Sequence, residues 1–181
     1  EAPAEPPSRL TVRALANPPV RKLAKDLGVD LADVPAEGPV ISRADIEAFV
    51  AMCRAVGIRS SLFIPPDEEA VNLSKALGAD QVELHTGEYC HAFEPGKKAQ
   101  RDLELARLVR ASELAASIGL EVAAGHGLTR HNVGPVVSIP SVREVNIGHS
   151  VIADAVFLGL SEAVRELRAA IERHAGSADG C

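Results

Sequence analysis

The sequence predicts an α/β fold with four consecutive β/α units, half of a TIM-type barrel, preceded by a small N-terminal two-helix domain. From Gly57 onward, apolar strand-like runs alternate with helical patterns, which is typical of parallel βα units. A glycine stands at each junction from helix to strand, at Gly57, Gly78 and Gly119. The chain has 181 residues, whereas a complete barrel takes about 250, so the sequence accommodates only part of one.

The first 50 residues divide into a linker and a helical mini-domain. Residues 1–10 are rich in proline and alanine without periodicity, as in an extended linker. Two helical patterns follow in residues 11–50, and Ser42 stands three residues before Asp45, as at a capping-box helix start. The apolar positions of the second helix recur at helical spacing, at Ile46, Phe49, Val50 and Cys53. A domain this small lies near the lower limit of independent stability.

Residues 51–176 contain the predicted half-barrel, and residues 177–181 a flexible tail. In chain order, the strand-like runs are IRSSLFI, QVELHT, LEVAA and VREVNI. One long helical stretch runs from about Lys97 to Ile118, and the last runs from about Glu162 to His174. Because the strand-like runs are rich in apolar residues, we expect strands that are apolar on both faces, as in buried parallel sheets.

Composition excludes several classes of partner. The formal net charge is −6 and no strong basic run occurs, which argues against a nucleic-acid partner. No apolar run is long enough to span a membrane, and no N-terminal signal pattern occurs. The three cysteines, Cys53, Cys90 and Cys181, are widely spaced and are predicted to be free thiols in the cytoplasm. Without Cys-x-x-Cys or His-x-x-x-His spacing, no metal site is predicted.

Two predicted strands end in a Gly-His pair, Gly125-His126 and Gly148-His149. Ligands of parallel α/β folds bind at the C-terminal ends of the strands. His126 therefore stands where a general acid or base is expected, because imidazole titrates near neutral pH. Gly148 and His149, with Gly127, predict a phosphate cradle, since glycine permits close backbone approach and a helix start favours an anion. Either pair alone could simply be a turn.

Glu83 is a further candidate, because it lies in the middle of the predicted second strand. A carboxylate beside a developing cationic or hydrated centre stabilises the transition state electrostatically. An equally weighted alternative makes Glu83 a structural carboxylate that accepts hydrogen bonds from backbone N–H groups. The sequence leaves these two readings open.

Four motifs carry a family resemblance: SLFIPPDEEA, VELHTGEYC, AAGHGLTRHNV and REVNIGHSVIADAVFLGL. In order and spacing they resemble the second half of the pyridoxine 5′-phosphate synthase family. The resemblance implies a cytoplasmic, homo-oligomeric barrel that needs no organic cofactor. Such enzymes condense 1-deoxy-D-xylulose 5-phosphate with 3-amino-2-oxopropyl phosphate, releasing phosphate and water, to form the pyridine ring of vitamin B6.

The resemblance also implies roles for individual residues. His126 matches the proton donor of the family, and Glu83 matches a carboxylate that stabilises transition states. Gly127, Gly148 and His149 match the turns that hold the phosphate of the amino-ketone substrate. The family's general-base glutamate and its other first-half residues have no counterpart in this sequence. We therefore expect very low turnover from the chain alone, and association with itself or with a missing barrel half. The alternative is an inactive phosphate-binding fragment.

The N-terminal segment resembles a different family. The runs VRALANPPVRKLAKDLGVDLADV and ISRADIEAFV resemble the peripheral subunit-binding domain of 2-oxo acid dehydrogenase acyltransferases. This resemblance implies that Arg21 and Lys22 face an acidic groove on a partner such as dihydrolipoamide dehydrogenase. The alternative function is thus a module that anchors the chain to a dehydrogenase complex.

Overall fold

The computed structural model describes residues 43–175. The predicted linker at 1–10, the first helix of the predicted mini-domain and the predicted tail at 177–181 lie outside the described residues. Arg21, Lys22 and Cys181 lie outside them as well. The predictions made for these parts of the chain therefore stay predictions.

The described chain begins with a helix and then alternates between strands and helices. The strands are β1 (Ser61–Ile64), β2 (Gln81–His85), β3 (Glu121–Gly125) and β4 (Glu144–Asn146). The helices are α1 (Arg43–Ala55), α2 (Glu68–Ala76), α3 (Gly87–His91), α4 (Lys98–Ser117), α5 (Val133–Val137), α6 (His149–Leu158) and α7 (Leu160–Ala175). All four predicted strands are present, and the long helix α4 lies within one residue of its predicted bounds at each end.

The four strands form one parallel sheet in the order β1-β2-β3-β4. In its register, Glu83 lies between Phe63 of β1 and Ala123 of β3. Ala123 in turn lies beside Glu144 of β4. Because neighbouring strands are consecutive and parallel, each connection must cross over the sheet through a helix. The prediction of four consecutive β/α units of a TIM-type barrel is therefore confirmed.

The junction glycines end their helices as predicted. Gly57, Gly78 and Gly119 have φ angles of 77°, 84° and 76°, in the left-handed region that glycine enters without penalty. At Gly78 the helix end also receives a contact from α1, because the Arg54 guanidinium donates to the Gly78 carbonyl and pairs with Asp80 at 3.6 Å. This contact ties α1 to the junction between α2 and β2.

The two faces of the sheet differ in polarity, so the prediction of strands apolar on both faces is wrong. One face is buried in the hydrophobic core and carries Leu62, Ile64, Val82, Leu84, Val122 and Ala124. Glu83, His85 and Asn146 occupy alternate positions on the opposite face, because successive side chains of a strand point to opposite faces. Helix residues such as Val71 and Leu108 belong to the same core cluster as the first face, whereas the second face carries polar side chains.

Helix α1 confirms the predicted apolar pattern of the second N-terminal helix. Ile46 and Val50 are buried, and Phe49 and Cys53 are partly buried. The four positions lie along one side of the helix, as spacing of three and four residues requires. The C-terminal part of the predicted mini-domain thus packs on the half-barrel.

Three helices were not predicted: α3, α5 and α6. Helices α3 and α5 have only five residues each, too few for a helical pattern to emerge. Helix α6 is apolar on most of its sides and has no buried residue, so its sequence lacks the alternation that marks an amphipathic helix. Phe157 is 88% exposed and Val156 is 76% exposed. No helix within residues 43–175 is both long and apolar enough to cross a bilayer.

Candidate active site

The Glu83 carboxylate lies near the C-terminal ends of β3 and β4, on the polar face of the sheet. Asn146 Nδ2 donates a hydrogen bond to Glu83 Oε2 at 2.9 Å. A Cβ atom at position 125 would lie 2.1 Å from Glu83 Oε1, so Gly125 provides the space that the carboxylate fills. The partner of Glu83 here is a side-chain amide, whereas the structural alternative expected backbone N–H groups.

Partial burial is the main influence on the pKa of the Glu83 carboxyl. Burial raises the pKa of the Glu83 carboxyl above its ordinary value, because the charged form loses water. The hydrogen bond from Asn146 and the charge of His126 lower the pKa, while the nearby Glu144 raises it. Burial is the largest of these effects, so the site holds a carboxylate that takes up a proton more readily than an exposed one.

His126 occupies an unusual backbone conformation at the end of β3. Its φ angle is 80°, a left-handed value that costs a non-glycine residue free energy. The Thr86 hydroxyl holds this turn, since Oγ1 lies 2.7 Å from the Gly125 carbonyl oxygen and 2.6 Å from that of His126. The Thr86 N–H also donates to Gly125 O at 2.9 Å. Because Thr86 is fully buried, the end of β2 clamps the turn that presents His126.

The loop after His126 is held by contacts with helix α3 and by a hydrogen bond within the loop. Gly127 has a φ angle of 83°, and a Cβ atom there would lie 3.1 Å from Cys90 Cβ. Further along, Asn132 Oδ1 accepts from the Thr129 N–H at 2.7 Å, and the Tyr89 hydroxyl donates to Asn132 O at 2.8 Å. Helix α3 therefore supports the loop through contacts with Gly127 and Asn132.

The Cys90 side chain is part of this support. Burial raises the pKa of its thiol to about 11, so the thiol is protonated at neutral pH. Cys53 and Cys90 are both free, which confirms the prediction for the cysteines inside the described range. Among residues 43–175, no group of three or more His, Cys, Asp or Glu side chains could hold a metal ion.

The turn after β4 is more exposed to solvent than the turn after β3. Gly148 caps α6, no side chain caps the helix start, and its first turn holds no acidic residue. Gly148 and His149 are both exposed. Ser150 Oγ donates to Leu128 O at 2.7 Å, which joins this turn to the loop after β3. Helix starts leave N–H groups without intrahelical partners, so the first turn of α6 presents donors to solvent.

The predicted residues thus fall into two neighbouring groups. Glu83 lies in the middle of β2, and His126 and Gly127 follow the end of β3. Gly148 precedes α6 and His149 begins it, beside the Ser150 contact. Sequence reasoning missed Thr86 and Asn146 as supports. Strand alternation alone could not identify Asn146, because its position relative to Glu83 depends on register. Asn146 lies beside Gly125, two residues along β3 from Ala123, which is the neighbour of Glu83.

These features define a class: a barrel-type β/α domain whose polar residues collect at the C-terminal strand ends, as in enzymes of that architecture. The family model described as pyridoxal phosphate biosynthesis protein PdxJ matches residues 39–173, and the chain belongs to this family. A second model, described as e3 binding domain, matches residues 14–47. The two matches overlap at residues 39–47, which include the N-terminal part of α1.

Several similar proteins are named pyridoxine 5′-phosphate synthase. The protein from Magnetococcus marinus is 49% identical over 119 residues, covering 66% of this chain and 48% of the relative. The Idiomarina loihiensis protein is 52% identical over 117 residues, covering 65% and 47%. The Sulfurihydrogenibium sp. protein is 46% identical over 130 residues, covering 71% and 52%. The chain thus spans about half the length of these relatives.

One solved structure supports the fold. A chain in the crystal structure of the Amycolatopsis orientalis BexX/CysO complex matches with a TM-score of 0.51. The match covers 88% of this chain and 61% of that one, at 16% sequence identity. At this identity, the likeness concerns the fold alone.

Proposed function

We propose that this chain supplies the proton-donor and phosphate-binding part of a pyridoxine 5′-phosphate synthase site. The substrates would be 1-deoxy-D-xylulose 5-phosphate and 3-amino-2-oxopropyl phosphate. The observation that carries the proposal is the junction of β2, β3 and β4, where Asn146 holds Glu83 and Thr86 holds the turn of His126. The relatives named pyridoxine 5′-phosphate synthase support the choice of reaction.

In this proposal His126 donates a proton and Glu83 stabilises positive charge. The His126 side chain is exposed at the mouth of the site, so its imidazolium can reach a substrate oxygen that leaves as water. The partly buried Glu83 carboxylate acts more strongly on a nearby cationic centre than it would in bulk water. The hydrogen bond from Asn146 keeps one carboxylate oxygen in place.

Gly127, Gly148 and His149 would hold the phosphate of the amino-ketone substrate. Helix α6 has ten residues, no side-chain cap and no acidic residue in its first turn, so its N-terminal N–H groups suit an anion. The bond between Ser150 and Leu128 keeps the two glycine-bearing loops together. A phosphate at this end would place the remainder of the substrate near the end of β3.

Calorimetry with 3-amino-2-oxopropyl phosphate tests the proposal on the full chain. We expect saturable binding that weakens several-fold in His149→Ala and stays unchanged in His91→Ala, since His91 lies exposed on α3. Absence of saturable binding, or equal affinity in His149→Ala and the parent chain, would contradict it.

An assay of ring synthesis from both substrates distinguishes an incomplete active site from a complete one. The family's general-base glutamate has no counterpart in this sequence, so we expect ring synthesis from both substrates to be close to background. Ready synthesis that His126→Ala abolishes would show that the chain completes the reaction. Phosphate binding without any turnover would instead support the inactive phosphate-binding fragment.

We also propose that the domain associates with a second copy or with a missing barrel half. Within residues 43–175, β1 and β4 each pair with one strand only, and unpaired strand edges favour association. Exposed apolar side chains also lie on the two C-terminal helices, α6 and α7, at Ile152, Val156, Phe157, Leu158, Leu160 and Val164. Sedimentation at micromolar concentration should show an oligomer, and a stable monomer would contradict this proposal.

The match of residues 14–47 to the e3 binding domain favours a second candidate function. In it, Arg21 and Lys22 dock onto an acidic groove of dihydrolipoamide dehydrogenase. Pull-down of that enzyme should be lost in Arg21→Glu and retained in Arg9→Glu, a matched charge reversal outside the matched segment. Failure to retain the enzyme even at low salt would exclude this function.

A further inference from the structure

Three aromatic rings, from β1, from β2 and from the turn after β3, meet at the mouth of the site. The rings of His85 and His126 are stacked, with centroids 4.6 Å apart and planes inclined by 26°. Phe63 packs against the other two at tilted angles, with centroids 5.2 Å from His85 and 6.2 Å from His126. His85 is thus the middle ring, between the side chain of β1 and the turn after β3.

The position of the His85 ring is fixed by Gly87. The Gly87 N–H donates to His85 Nδ1 at 3.3 Å, which leaves Nε2 as the protonated nitrogen of the neutral ring. A Cβ atom at position 87 would lie 2.4 Å from His85 Cε1 and 3.2 Å from His126 Cδ2. Only glycine at this position leaves space for both rings.

We propose that His85 is a positioning residue, which holds the His126 imidazole against the strand ends so that the donor presents one face to the site. The Thr86 clamp fixes the backbone of His126 but leaves its exposed side chain free to rotate. The stacked ring supplies the missing constraint, because offset aromatic pairs favour a defined geometry.

The other groups around His126 do not replace this constraint. On β2, Glu83 interacts with it through charge, which is weakly directional. On α3, the Cys90 thiol lies 3.7 Å from the backbone carbonyl of His126 and so acts on the main chain. Phe63 meets His126 at a longer centroid distance than His85 does. The orientation of the donor ring therefore depends mainly on His85.

NMR of the full, isotopically labelled chain tests this inference without requiring turnover. The ring protons of His126 should be shifted upfield by the ring currents of its neighbours, and His85 should show an unprotonated Nδ1. In His85→Leu the upfield shift should largely disappear, whereas His85→Phe should retain it because the variant keeps an aromatic ring. His91→Leu, on the exposed side of α3, is the matched control and should leave the His126 signals unchanged.

Unchanged His126 signals in His85→Leu, or the absence of an upfield shift in the parent chain, would overturn the inference. Core methyl signals of Val71 and Leu108, both buried, report whether each variant folds. If His85→Leu does not fold, His85→Phe decides, since loss of the upfield shift in that folded variant would also overturn the inference. The inference rests on the proposed role of His126 as donor, but the ring-current measurement and the binding measurement can fail independently.

Discussion

Thr86, Tyr89 and Asn132 tie the turn after β3 to buried parts of the protein, whereas the turn after β4 opens into a helix with no buried residue. Both turns contain a Gly-His pair. At the first, glycine is required because neighbouring atoms leave no room for a side chain, and at Gly148 nothing lies within 4 Å of an added Cβ atom. The Gly125-His126 pair therefore belongs to a rigid turn that suits a proton donor, and the Gly148-His149 pair belongs to an open turn that suits an anion.

This difference explains how binding and proton transfer could be divided. A donor such as His126 must be held in place before the substrate arrives, because misplacement lowers the rate of proton transfer. A phosphate brings its own charge and can organise the N–H groups of a helix start when it binds. Substitutions that disturb the turn after β3 should therefore cost more stability than substitutions in the turn after β4.

Alanine at the two glycines should separate the two turns most clearly. In Gly125→Ala, the new Cβ atom would lie 2.1 Å from Glu83 Oε1 and 3.1 Å from Asn146 O, so we expect a loss of about 3 kcal/mol in the free energy of unfolding, near the upper end for overpacking. Gly148→Ala meets open space at a φ angle of −119° and should change it by less than about 0.5 kcal/mol. Urea unfolding measures both, and equal losses would contradict the contrast.

Removal of the Thr86 hydroxyl should loosen the donor turn. Thr86→Val keeps the shape of the side chain but removes the hydroxyl that lies against the carbonyls of His126 and Gly125, and only Gly125 O retains the Thr86 N–H as a donor. The loss should cost about 1–2 kcal/mol of unfolding free energy. Thr86→Ser retains the hydroxyl and serves as the control. Thermal unfolding would show the difference, and a valine variant as stable as the serine variant would show that the clamp contributes nothing.

The pH dependence of stability should reveal the partly buried carboxylate. Because the pKa of Glu83 is raised in the folded state, the folded protein binds this proton more tightly than the unfolded chain. Stability should therefore fall as pH rises from the ordinary value near 4.5 through the raised folded value. Glu83→Gln removes the free-energy cost of burying a charged carboxylate. The variant should therefore be slightly more stable than the parent chain at pH 7 and lose that advantage below pH 4.

Glu113→Gln provides the control for this pH series, because Glu113 lies exposed on α4. Urea midpoints measured between pH 3 and pH 8 should diverge from those of the parent chain only for Glu83→Gln. A Glu83→Gln variant that is less stable than the parent chain at pH 7 would show that the ionised carboxylate stabilises the fold.

The ion pairs that join the two turns should matter least. Arg130 pairs with Glu166 of α7 and lies 3.7 Å from Asp154 of α6, but these pairs are partly exposed. Arg130→Gln should lower the free energy of unfolding by less than about 1 kcal/mol, and the difference should shrink in high salt. Arg165→Gln, which removes a pair within α7, is the control for a purely local pair. A loss of several kcal/mol would mean that the two turns fold as one unit.

The sequence was sufficient for the first three strands, because each of their strand-like runs follows a helix-ending glycine. The fourth run follows no glycine and was predicted from its place in the alternation of strands and helices. The sequence also allowed Glu83 and His126 to be predicted as site residues, because Glu83 lies in a predicted strand and His126 follows the end of one. It did not reveal the polar face of the sheet, since Glu83 and His85 belong to β2 and Asn146 to β4, and their shared face depends on the register across β3.

The support of the site was equally hidden in the sequence. The contacts from Thr86 to His126 and from Tyr89 to Asn132 join residues about 40 positions apart, so no local pattern encodes them. Helix α6 was missed because its apolar residues face outward, against the expectation that apolar residues of a helix lie on its buried side.

Hydrogen–deuterium exchange of the full chain, with inorganic phosphate or with chloride at equal ionic strength, tests the central contrast most directly. We expect slow exchange at the Thr86 amide under both conditions, because this amide donates to Gly125 O. We expect fast exchange at the amides of His149 and Ser150 in chloride, and slower exchange there in phosphate. Protection of the α6 start already in chloride, or a phosphate effect confined to the turn after β3, would show that the two turns do not differ in this way.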